Sequence, residues 1–472
     1  MAEAMEHSTH HITAPEDRIP LFQKIAYSIG ALVNQLQAAA LSAMVLVLNL
    51  GLGVNPALVG LVGTIPRVID AFTDPMIGYT SDNARTKYGR RRPFIFFGAL
   101  ISGLLFALLF QLYKGHSESY YFWYFLVIQC LFVIAFAFYS IPWIALGFEM
   151  TPDYHERTRL QGTGNTIAQF AWLMSPWLFT LMYTTKDVVH GARVLALVFG
   201  ALIAVGGILP AIFNKERGVK LPKPEKKHVM KDFLNGCKIT LKNRPFLKLC
   251  AVTFLVFNGF MLASAFTSYV IFFYDFGGDY SKGGILLGWF GTVTALSNFC
   301  VISFITWLAT KIGKRNTFLI TIPISIVGYA LKWIGYNPAH PYLLLMAAPF
   351  IAFGLGSIFT LISSMLADVC DLDELDTGAR REGTFGAIYW WMIKLGQAAA
   401  SLVSGILINV TGFNIALGAH QTAQSMFLMR ICDIGIPIVS SIVAIFIITT
   451  FEVTEDKAYA IRRELEKRRG KA

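Results

Sequence analysis

Asp70 and Asp74 are the residues of this sequence whose type and spacing most directly suggest chemistry. They lie four residues apart, on one face of a helix, in the otherwise apolar stretch "RVIDAFTDPMIGYTSDN". Asp74 precedes Asp82, near the helix end, by eight residues, which is about 12 Å along a helix axis. Because close carboxylates repel each other, we expect them to share a proton or to hold Na⁺ or Li⁺, with Thr73 supplying a further oxygen. The alternative is a structural ion pair.

Lys394 is the most obvious basic partner for these carboxylates. It lies in the middle of "GAIYWWMIKLGQAAASLVSG", far from both ends of the predicted helix. A buried ammonium group without an anion would lose its proton. We therefore expect Lys394 to neutralise Asp70 and Asp74 when no cation is bound, so that lysine and cation compete and binding is coupled. The alternative is a lysine that extends to a membrane interface.

Aromatic and amide side chains on several apolar segments suggest a second ligand. Rings that stack and neutral groups that form hydrogen bonds suit a polyhydroxylated ring such as a sugar. The predicted substrate-binding residues are Asn34, Ser140, Trp143, Asn165, Gln169, Tyr389 and Trp390. The alternative is structural, because membrane helices also pack through amides and hydroxyls and place aromatic residues at interfaces.

Charged residues at predicted helix ends form a third set. We expect a cytoplasmic gate, in which ion pairs join two halves of the chain and break when that side opens, formed by Asp82, Arg85, Glu149, Asp153, Arg157 and Arg380. Two other charged sites are assigned local roles. Lys332 is expected to extend from the outer end of its helix, and Arg430 to pair with Asp433 three residues further along.

The elements that carry these residues are predicted to span a membrane. The 472 residues are 55% hydrophobic and 15% charged, with a mean hydropathy of +0.55, whereas soluble proteins carry about 25% charged residues. Apolar runs of about 20 residues, enough to cross a hydrocarbon core, recur along the chain. An all-α membrane protein is therefore predicted, with twelve spans: 21–50, 56–81, 92–113, 120–149, 160–184, 191–214, 246–274, 282–310, 316–336, 341–368, 383–411 and 424–451.

The charges of the connecting segments predict the orientation of these spans. Lys and Arg are concentrated in 85–92 and 311–315, and the linker 215–244 holds ten basic residues against three acidic ones. The positive-inside rule makes these segments and both termini cytoplasmic. The formal net charge of +11 is thereby attributed to membrane topology and not to nucleic-acid binding. The start of the chain lacks signal-peptide features, which favours a bacterial inner membrane.

Two halves of the chain resemble each other. "TKYGRRRP" (86–93) is similar to "TKIGKRNT" (310–317), and "GFEMTPDYHERTRLQG" to "LADVCDLDELDTGARREG" about 220 residues later. Such repeats are typical of transporters that alternate access to a site between their halves. The predicted organisation is a cytoplasmic tail, a six-helix half, a cytoplasmic linker, a second six-helix half and a cytoplasmic tail helix, at 1–20, 21–214, 215–245, 246–451 and 452–472.

The cysteines and the enzyme motifs argue against particular functions, and the C-terminal tail has a pattern of its own. The six cysteines are scattered without a CxxC pair, so neither a metal site nor a disulfide framework is expected. HExxH and GxSxG motifs are absent, so neither an enzyme nor a cofactor is expected. In the C-terminal tail, Ala458, Ile461 and Leu465 form a thin apolar stripe that is predicted to lie on the inner membrane surface.

Three of these motifs resemble those of a known family. "DAFTDPMIGYTSDNARTKYGRRRP" is similar to the helix 2 signature of the glycoside–pentoside–hexuronide:cation symporters, the melibiose permease group of the major facilitator superfamily. "EMTPDYHERTRLQG" resembles their helix 4–5 loop, and "YWWMIKLG" their helix 11 lysine region. The resemblance implies the major facilitator fold and symport of a sugar with Na⁺, Li⁺ or H⁺. It also implies that Asp70, Asp74 and Thr73 bind the cation beside Lys394.

The chain departs from the melibiose permeases at their charged sugar contacts. Ser140 replaces an acidic residue before the helix 4 Ile-Pro, Asn165 replaces a helix 5 arginine, and Asn34 aligns with a helix 1 acidic residue. Ala137 stands where a threonine assists the cation. The resemblance therefore implies coupling carboxylates with neutral substrate contacts, and it leaves Na⁺ and H⁺ as alternatives.

The predicted function is cation-coupled symport of a sugar, glycoside or uronide by alternating access. The partners are a small carbohydrate and the lipid bilayer, and a monomer is expected. One alternative is a carrier of a lysolipid-like amphiphile. Another is a membrane sensor that binds a sugar without moving it, although charges retained at the inner helix ends of both halves favour transport.

Overall fold

The computed structural model describes residues 15–151, 153–185, 187–216, 240, 242–378 and 382–468. The described chain is helical, and the predicted all-α class is confirmed. The helices of the first half are α1 (Leu21–Leu50), α2 (Pro56–Asn83), α3 (Arg92–Leu109), α4 (Glu118–Glu149), α5 (Tyr154–Met174) and α6 (Val188–Phe213). Those that follow are α7 (Arg244–Asp275), α8 (Tyr280–Ile312), α9 (Lys314–Gly335), α10 (Pro341–Thr377), α11 (Glu382–Val410), α12 (Ala423–Thr449) and α13 (Glu455–Arg468).

Eleven of the described helices are long and apolar enough to cross a membrane. The remaining predicted span is α5, which is continued by a 3-10 turn (Ser175–Trp177) and a short helix (Leu178–Tyr183). Its sequence, "YHERTRLQGTGNTIAQFAWLM", is more polar than those of the other eleven. A helix of this composition needs polar surroundings within the bundle, because amides are costly to expose to lipid.

Two helix ends differ from the predicted limits by six residues or more, and both have a local cause. α5 begins at Tyr154 and not near 160, because the Asp153 side chain accepts a hydrogen bond from the Glu156 amide and caps the first turn. α10 continues to Thr377 and not 368. It ends at Gly378, whose φ of +70° is the left-handed conformation that commonly terminates a helix.

Packing within each half is extensive, and fewer helices join the halves. In the first half α3 packs on α4 and α6, and α1 packs on α5 and α6; in the second half α7 packs on α11 and α12, and α10 on α8 and α9. Gly103 and Gly200 allow close backbone contact of α3 with α6, since a Cβ on Gly103 would lie 2.5 Å from the Gly200 carbonyl oxygen. The main contacts across the halves are α2 with α11 and α8 with α5 and its continuation.

These contacts between the halves close one end of the bundle. We call the end that carries Ile19 and α13 the terminal face, and the opposite end the far face. At the far face Tyr269 donates a hydrogen bond to Asn49 (2.9 Å), and Trp177 donates one to Thr292 (2.9 Å). The Phe179 and Phe272 rings are 4.6 Å apart. The far face is therefore sealed by residues of both halves.

The tail helix α13 packs on protein, contrary to the prediction of membrane contact. Ile461 and Leu465 are buried against the second half, in the same core as Val369 of α10. The apolar stripe was recognised correctly, but its partner is α10, whose unexpected length provides the surface. Most of the linker 215–245 lies outside the described residues, and its predicted role is untested.

Candidate functional site

Lys394 of α11 contacts both carboxylates of α2. Its Nζ lies 3.0 Å from Asp70 Oδ2 and is also bonded to Asp74 Oδ2. Asp70 is only 3% exposed, whereas Asp74 is half-buried. The spacing of four residues places both carboxylates on one side of α2, where a single ammonium group reaches both. The charge cluster thus joins the two halves near the middle of the α2–α11 contact.

Arg67 is a fourth charged member of this cluster, and the sequence analysis missed it. Its Nη1 lies 4.0 Å from Asp70 Oδ2, one helical turn away on α2. The i, i+3 spacing from Asp70 was a signal that could have identified it. With Arg67 and Lys394 opposite Asp70 and Asp74, the cluster is formally neutral. A monovalent cation that replaced one of the two basic groups would leave the cluster neutral.

Oxygen atoms near the carboxylates suit a small hard cation. Thr73 Oγ1 donates a hydrogen bond to the Asp70 carbonyl (3.3 Å) and keeps its own lone pairs for a ligand. Pro75 has no N–H, so the Ala71 carbonyl loses its usual helical donor. Within the described residues, His, Cys, Asp and Glu side chains form no cluster of three or more that could hold a metal ion. The donor set of two carboxylates and neutral oxygens fits Na⁺, Li⁺ or a proton.

Three of the predicted substrate-binding residues are exposed on helices that border the space between the halves. Asn165 and Gln169 are four residues apart on α5, and Trp390 lies one turn before Lys394 on the same side of α11. Trp390 is 55% exposed. Amides on a membrane helix avoid lipid, so the exposed Asn165–Gln169 side of α5 is suited to polar surroundings within the bundle.

Two of the predicted substrate-binding residues, Trp143 and Tyr389, are buried inside their own halves, and their predicted role is untested. Trp143 is 7% exposed, stacks on Tyr27 with ring centroids 4.9 Å apart, and donates its indole N–H to the Tyr27 carbonyl (3.3 Å). Tyr389 is 3% exposed and shares a hydrogen bond with Thr253 (3.1 Å). Both rings are used inside their own half. The helical period shows which residues of one helix share a face. It does not show which face of that helix is turned toward the space between the halves.

The remaining substrate candidates are a half-buried amide, Asn34, and a half-buried hydroxyl, Ser140. Ser140 is of intermediate exposure, as is Asn34, whose Oδ1 is buried and has no hydrogen-bond partner in the described part of the chain. Asn258 of α7 has a similar Oδ1 and packs against Gly396, two residues after Lys394. The sequence analysis missed Asn258, because it stands alone in an apolar run. Buried amide oxygens without a hydrogen-bond partner suit a ligand with hydroxyl groups.

The predicted gate residue Glu149 pairs within its own half. Its carboxylate lies 2.6 Å from Arg90 Nη2 and 2.9 Å from Arg91 Nη2, both in the segment that leads into α3. This arrangement joins α4 to the start of α3 at the terminal face. Among the described residues Glu149 has no bond to the second half, so a latch across the halves stays a prediction for a conformation closed on this side.

The other predicted gate residues contact nearby residues, are exposed, or lie outside the described part of the chain. Asp153 caps α5 as described above, Arg157 donates to the Thr151 carbonyl (3.1 Å), and Arg85 is exposed. Arg380 and the side chain of Asp82 lie outside the described residues. The role of this set in gating is therefore untested.

A second buried charge cluster replaces two predictions made for the outer helix ends. Lys332 does not extend to an interface: it is 1% exposed, and its Nζ lies 2.6 Å from Asp433 and 2.8 Å from the Thr267 hydroxyl. Arg430 does not pair with Asp433. Its guanidinium instead lies over the Tyr274 and Trp333 rings. Lys332 points into the packing of α7, α9 and α12, and its helical depth alone did not reveal this direction.

Residues 26–455 match the family described as MFS/sugar transport protein. The chain is 24% identical to the isoprimeverose transporter of Lactiplantibacillus pentosus, over 90% of this chain and 87% of that protein. It is also 24% identical to a glucuronide carrier protein homolog of Escherichia coli, over 94% and 95%. The sodium-dependent lysophosphatidylcholine symporter 1 of Mus musculus is 21% identical over 97% of this chain and 90% of its own.

A solved structure shows the same fold. The crystal structure of nucleoside transporter NupG superposes with a TM-score of 0.63 at 14% identity, over 90% of this chain and 99% of that one. The sequence resemblance to the glycoside–pentoside–hexuronide:cation symporters is confirmed by the relatives above. The chain therefore belongs to the MFS/sugar transport protein family.

Proposed function

We propose that the protein is a secondary transporter that couples movement of a sugar, glycoside or uronide to Na⁺ or H⁺. The observation that carries this proposal is the contact of one ammonium group, Lys394, with both Asp70 and Asp74 across the two halves. The family membership and the sugar-transporting relatives support the substrate class.

Competition for the carboxylates is the coupling step. Lys394 occupies the position between Asp70 and Asp74 that a cation would take. When Na⁺ binds, it takes the place of the ammonium group beside the carboxylates, and Lys394 loses its anions; a proton on one carboxylate weakens the same contact. Either event removes this charge contact between α11 and α2. The halves can then rearrange, because this charge contact is part of what joins them.

The substrate is proposed to bind beside this contact. Trp390 lies one turn from Lys394 and offers a ring face to a sugar, while Asn165 and Gln169 offer donors and acceptors for hydroxyl groups. A substrate that contacts Trp390 and the α5 amides would touch both halves. Its binding energy would thereby favour particular arrangements of the halves, as symport requires.

The orientation follows from charge. The terminal face carries the basic segments, so the positive-inside rule assigns it to the cytoplasm and assigns both termini to the same side. The sealed far face is then extracytoplasmic. The structure on this basis is a conformation open toward the cytoplasm, in a membrane that we propose to be a bacterial inner membrane.

The lysolipid alternative is favoured by one observation, the similarity to a sodium-dependent lysophosphatidylcholine symporter. Uptake into proteoliposomes distinguishes the candidates. Labelled sugars, glycosides, uronides and lysolipids are offered under an imposed Na⁺ gradient and, separately, a pH gradient. Accumulation of a carbohydrate driven by one gradient supports the proposal. Accumulation of a lysolipid alone supports the alternative, and binding without uptake in folded protein supports the sensor.

A further inference from the structure

The last six residues of α7 form a π-helix, Val270–Asp275. This geometry continues at the helix end, where the Phe276 amide donates to the Ile271 carbonyl (3.2 Å), five residues earlier. Gly277 and Gly278 follow with φ of +55° and +88°, so the chain turns sharply at this point. π-Helical turns are rare and often occur at functional sites.

The π-helix lies at the closure between the halves. Phe272 is fully buried against Phe179 of the first half, and Tyr269, just before the π-helix, is bonded to Asn49 of α1. Tyr269 also packs edge-on against Phe413, with ring centroids 5.1 Å apart. Opening of the far face requires these contacts to separate. The end of α7 is therefore a gate element.

Asp275 ends this π-helix and is a buried acid without a hydrogen-bond partner. It is 5% exposed, and neither carboxylate oxygen has a partner among the described residues. An ionised carboxylate in this environment would bear the full cost of desolvation. The closed gate therefore favours the neutral, protonated form of Asp275.

The charged and titratable groups around Asp275 are engaged with other partners. On α12, Arg430 donates to the Tyr274 hydroxyl and to the Trp333 carbonyl, both at 3.0 Å, while its buried Nε has no partner in the described chain. Asp433 of α12 is satisfied by Lys332 of α9 and by Tyr336, the residue that follows α9, each at 2.6 Å. The remaining neighbours are Tyr280 of α8, which packs on Phe272 and Phe273, and the exposed ion pair of Asp279 and Lys282.

From these contacts we infer that Asp275 is a proton-binding site that controls the far gate, separate from the Asp70–Asp74 site. In the closed gate the carboxyl holds a proton. When the π-helix moves outward, water reaches Asp275, the O–H bond breaks, the proton passes to water, and the carboxylate gains the Arg430 guanidinium as its partner. Reprotonation from the far side favours closing. The inference rests on the proposed alternating access, since it assigns a trigger to one of its steps.

The test measures the gate directly, without using transport. Spin labels are attached at Ser119 and Ala416, exposed far-face positions in the first and second halves, after the native cysteines are replaced. Double electron–electron resonance then gives the distance distribution as a function of pH. The wild type is expected to shift from closed to open as pH rises, by up to about tenfold in the population ratio per pH unit, the limit for one proton.

The variants separate this role from a structural one. Asp275→Asn, which mimics the protonated carboxyl, is expected to hold the gate closed and to remove the pH response. Asp275→Glu retains a response, and Asp279→Asn, an exposed neighbour, responds like the wild type. The inference is overturned if Asp275→Asn shifts with pH as the wild type does, or if the wild type does not respond. A wild-type response lost in Asp275→Asn supports it even if no sugar is accumulated, an outcome that would refute only the proposed function.

Discussion

Lys394 Nζ lies 3.0 Å from Asp70 Oδ2, and this ion pair crosses from one half of the protein to the other. A charge pair within one half would stabilise that half in every conformation. A pair between the halves contributes only while α2 and α11 remain close, so anything that competes for the carboxylate changes the balance between conformations. In the proposed mechanism, cation binding at this contact is therefore a conformational event.

Removal of Lys394 is expected to strengthen cation binding and to abolish coupling. In Lys394→Met the carboxylates lose their closest countercharge, and a cation no longer has to displace it. A partly exposed ion pair contributes about 1 kcal/mol, so the apparent cation affinity should rise about fivefold. Titration calorimetry measures this change, with Lys394→Arg as the charge-retaining control. Unchanged affinity in Lys394→Met would show that lysine and cation do not compete.

Substitution of Trp390 is expected to weaken substrate binding, whereas substitution of its neighbour Tyr389 is not. Loss of an aromatic contact costs about 0.5–1.5 kcal/mol, so Trp390→Ala should raise KM for uptake about two- to twelvefold. Tyr389→Phe removes the hydroxyl that bonds Thr253 and should lower Tm with KM unchanged. Equal effects of the two variants on KM would contradict the assignment of their faces.

Lys332 is expected to be a structural residue whose removal leaves Asp433 charged and unpaired. The variant Lys332→Met should destabilise the protein by about 3–5 kcal/mol, the usual cost of breaking a buried ion pair. Thermal unfolding in detergent measures the loss. The double variant Lys332→Met/Asp433→Leu removes both charges and should recover much of the stability. A double variant less stable than Lys332→Met would argue against a simple ion pair.

Glu156 is expected to make the terminal face sensitive to acid. Burial raises the pKa of its carboxyl, but hydrogen bonds from Lys24 and the Ile19 amide outweigh burial and hold the pKa below its usual range. A lowered pKa contributes stability above the pKa of the unfolded chain, about 4.3, and this stability is lost as pH falls through the folded value.

The Glu156→Gln variant tests this pH dependence. At neutral pH it should unfold more readily than the wild type, by about 2 kcal/mol for the lost charge-assisted hydrogen bonds. The difference should shrink as pH falls below about 4. Melting temperatures across pH 3–8 measure it, with exposed Glu464→Gln as the control. A difference that does not depend on pH would exclude the titration of Glu156 as its cause.

The sequence predicted the helices and the central charge cluster because both depend on local properties. Apolar runs set where spans lie, and the spacing of Asp70 and Asp74 determines that they share a face. The depth of Lys394 left few partners other than these carboxylates. The ends of α5 and α10 were harder to place, since Asp153 and Gly378 act through hydrogen bonding and backbone conformation and not through hydropathy.

The orientation of aromatic and basic side chains could not be predicted in the same way. Tyr389 and Trp390 are adjacent in sequence, yet one is buried against α7 and the other is exposed beside Lys394. Which of the two faces the cavity depends on how α11 is rotated against its neighbours, and one sequence does not contain that angle. Lys332 was misplaced for the same reason, because its direction into the α7–α12 packing depends on those helices.

The most direct test of the account compares gradient-driven accumulation with exchange in Asp70→Asn and Asp74→Asn. Once a transported sugar is identified, both reactions are measured in proteoliposomes for wild type and each variant. The account predicts that the wild type concentrates the sugar under a Na⁺ or pH gradient. The variants should retain exchange of labelled for unlabelled sugar, with an accumulation ratio that falls to about one because cation binding is lost. Variants that both still concentrate the sugar would contradict the assignment of Asp70 and Asp74 as the coupling site.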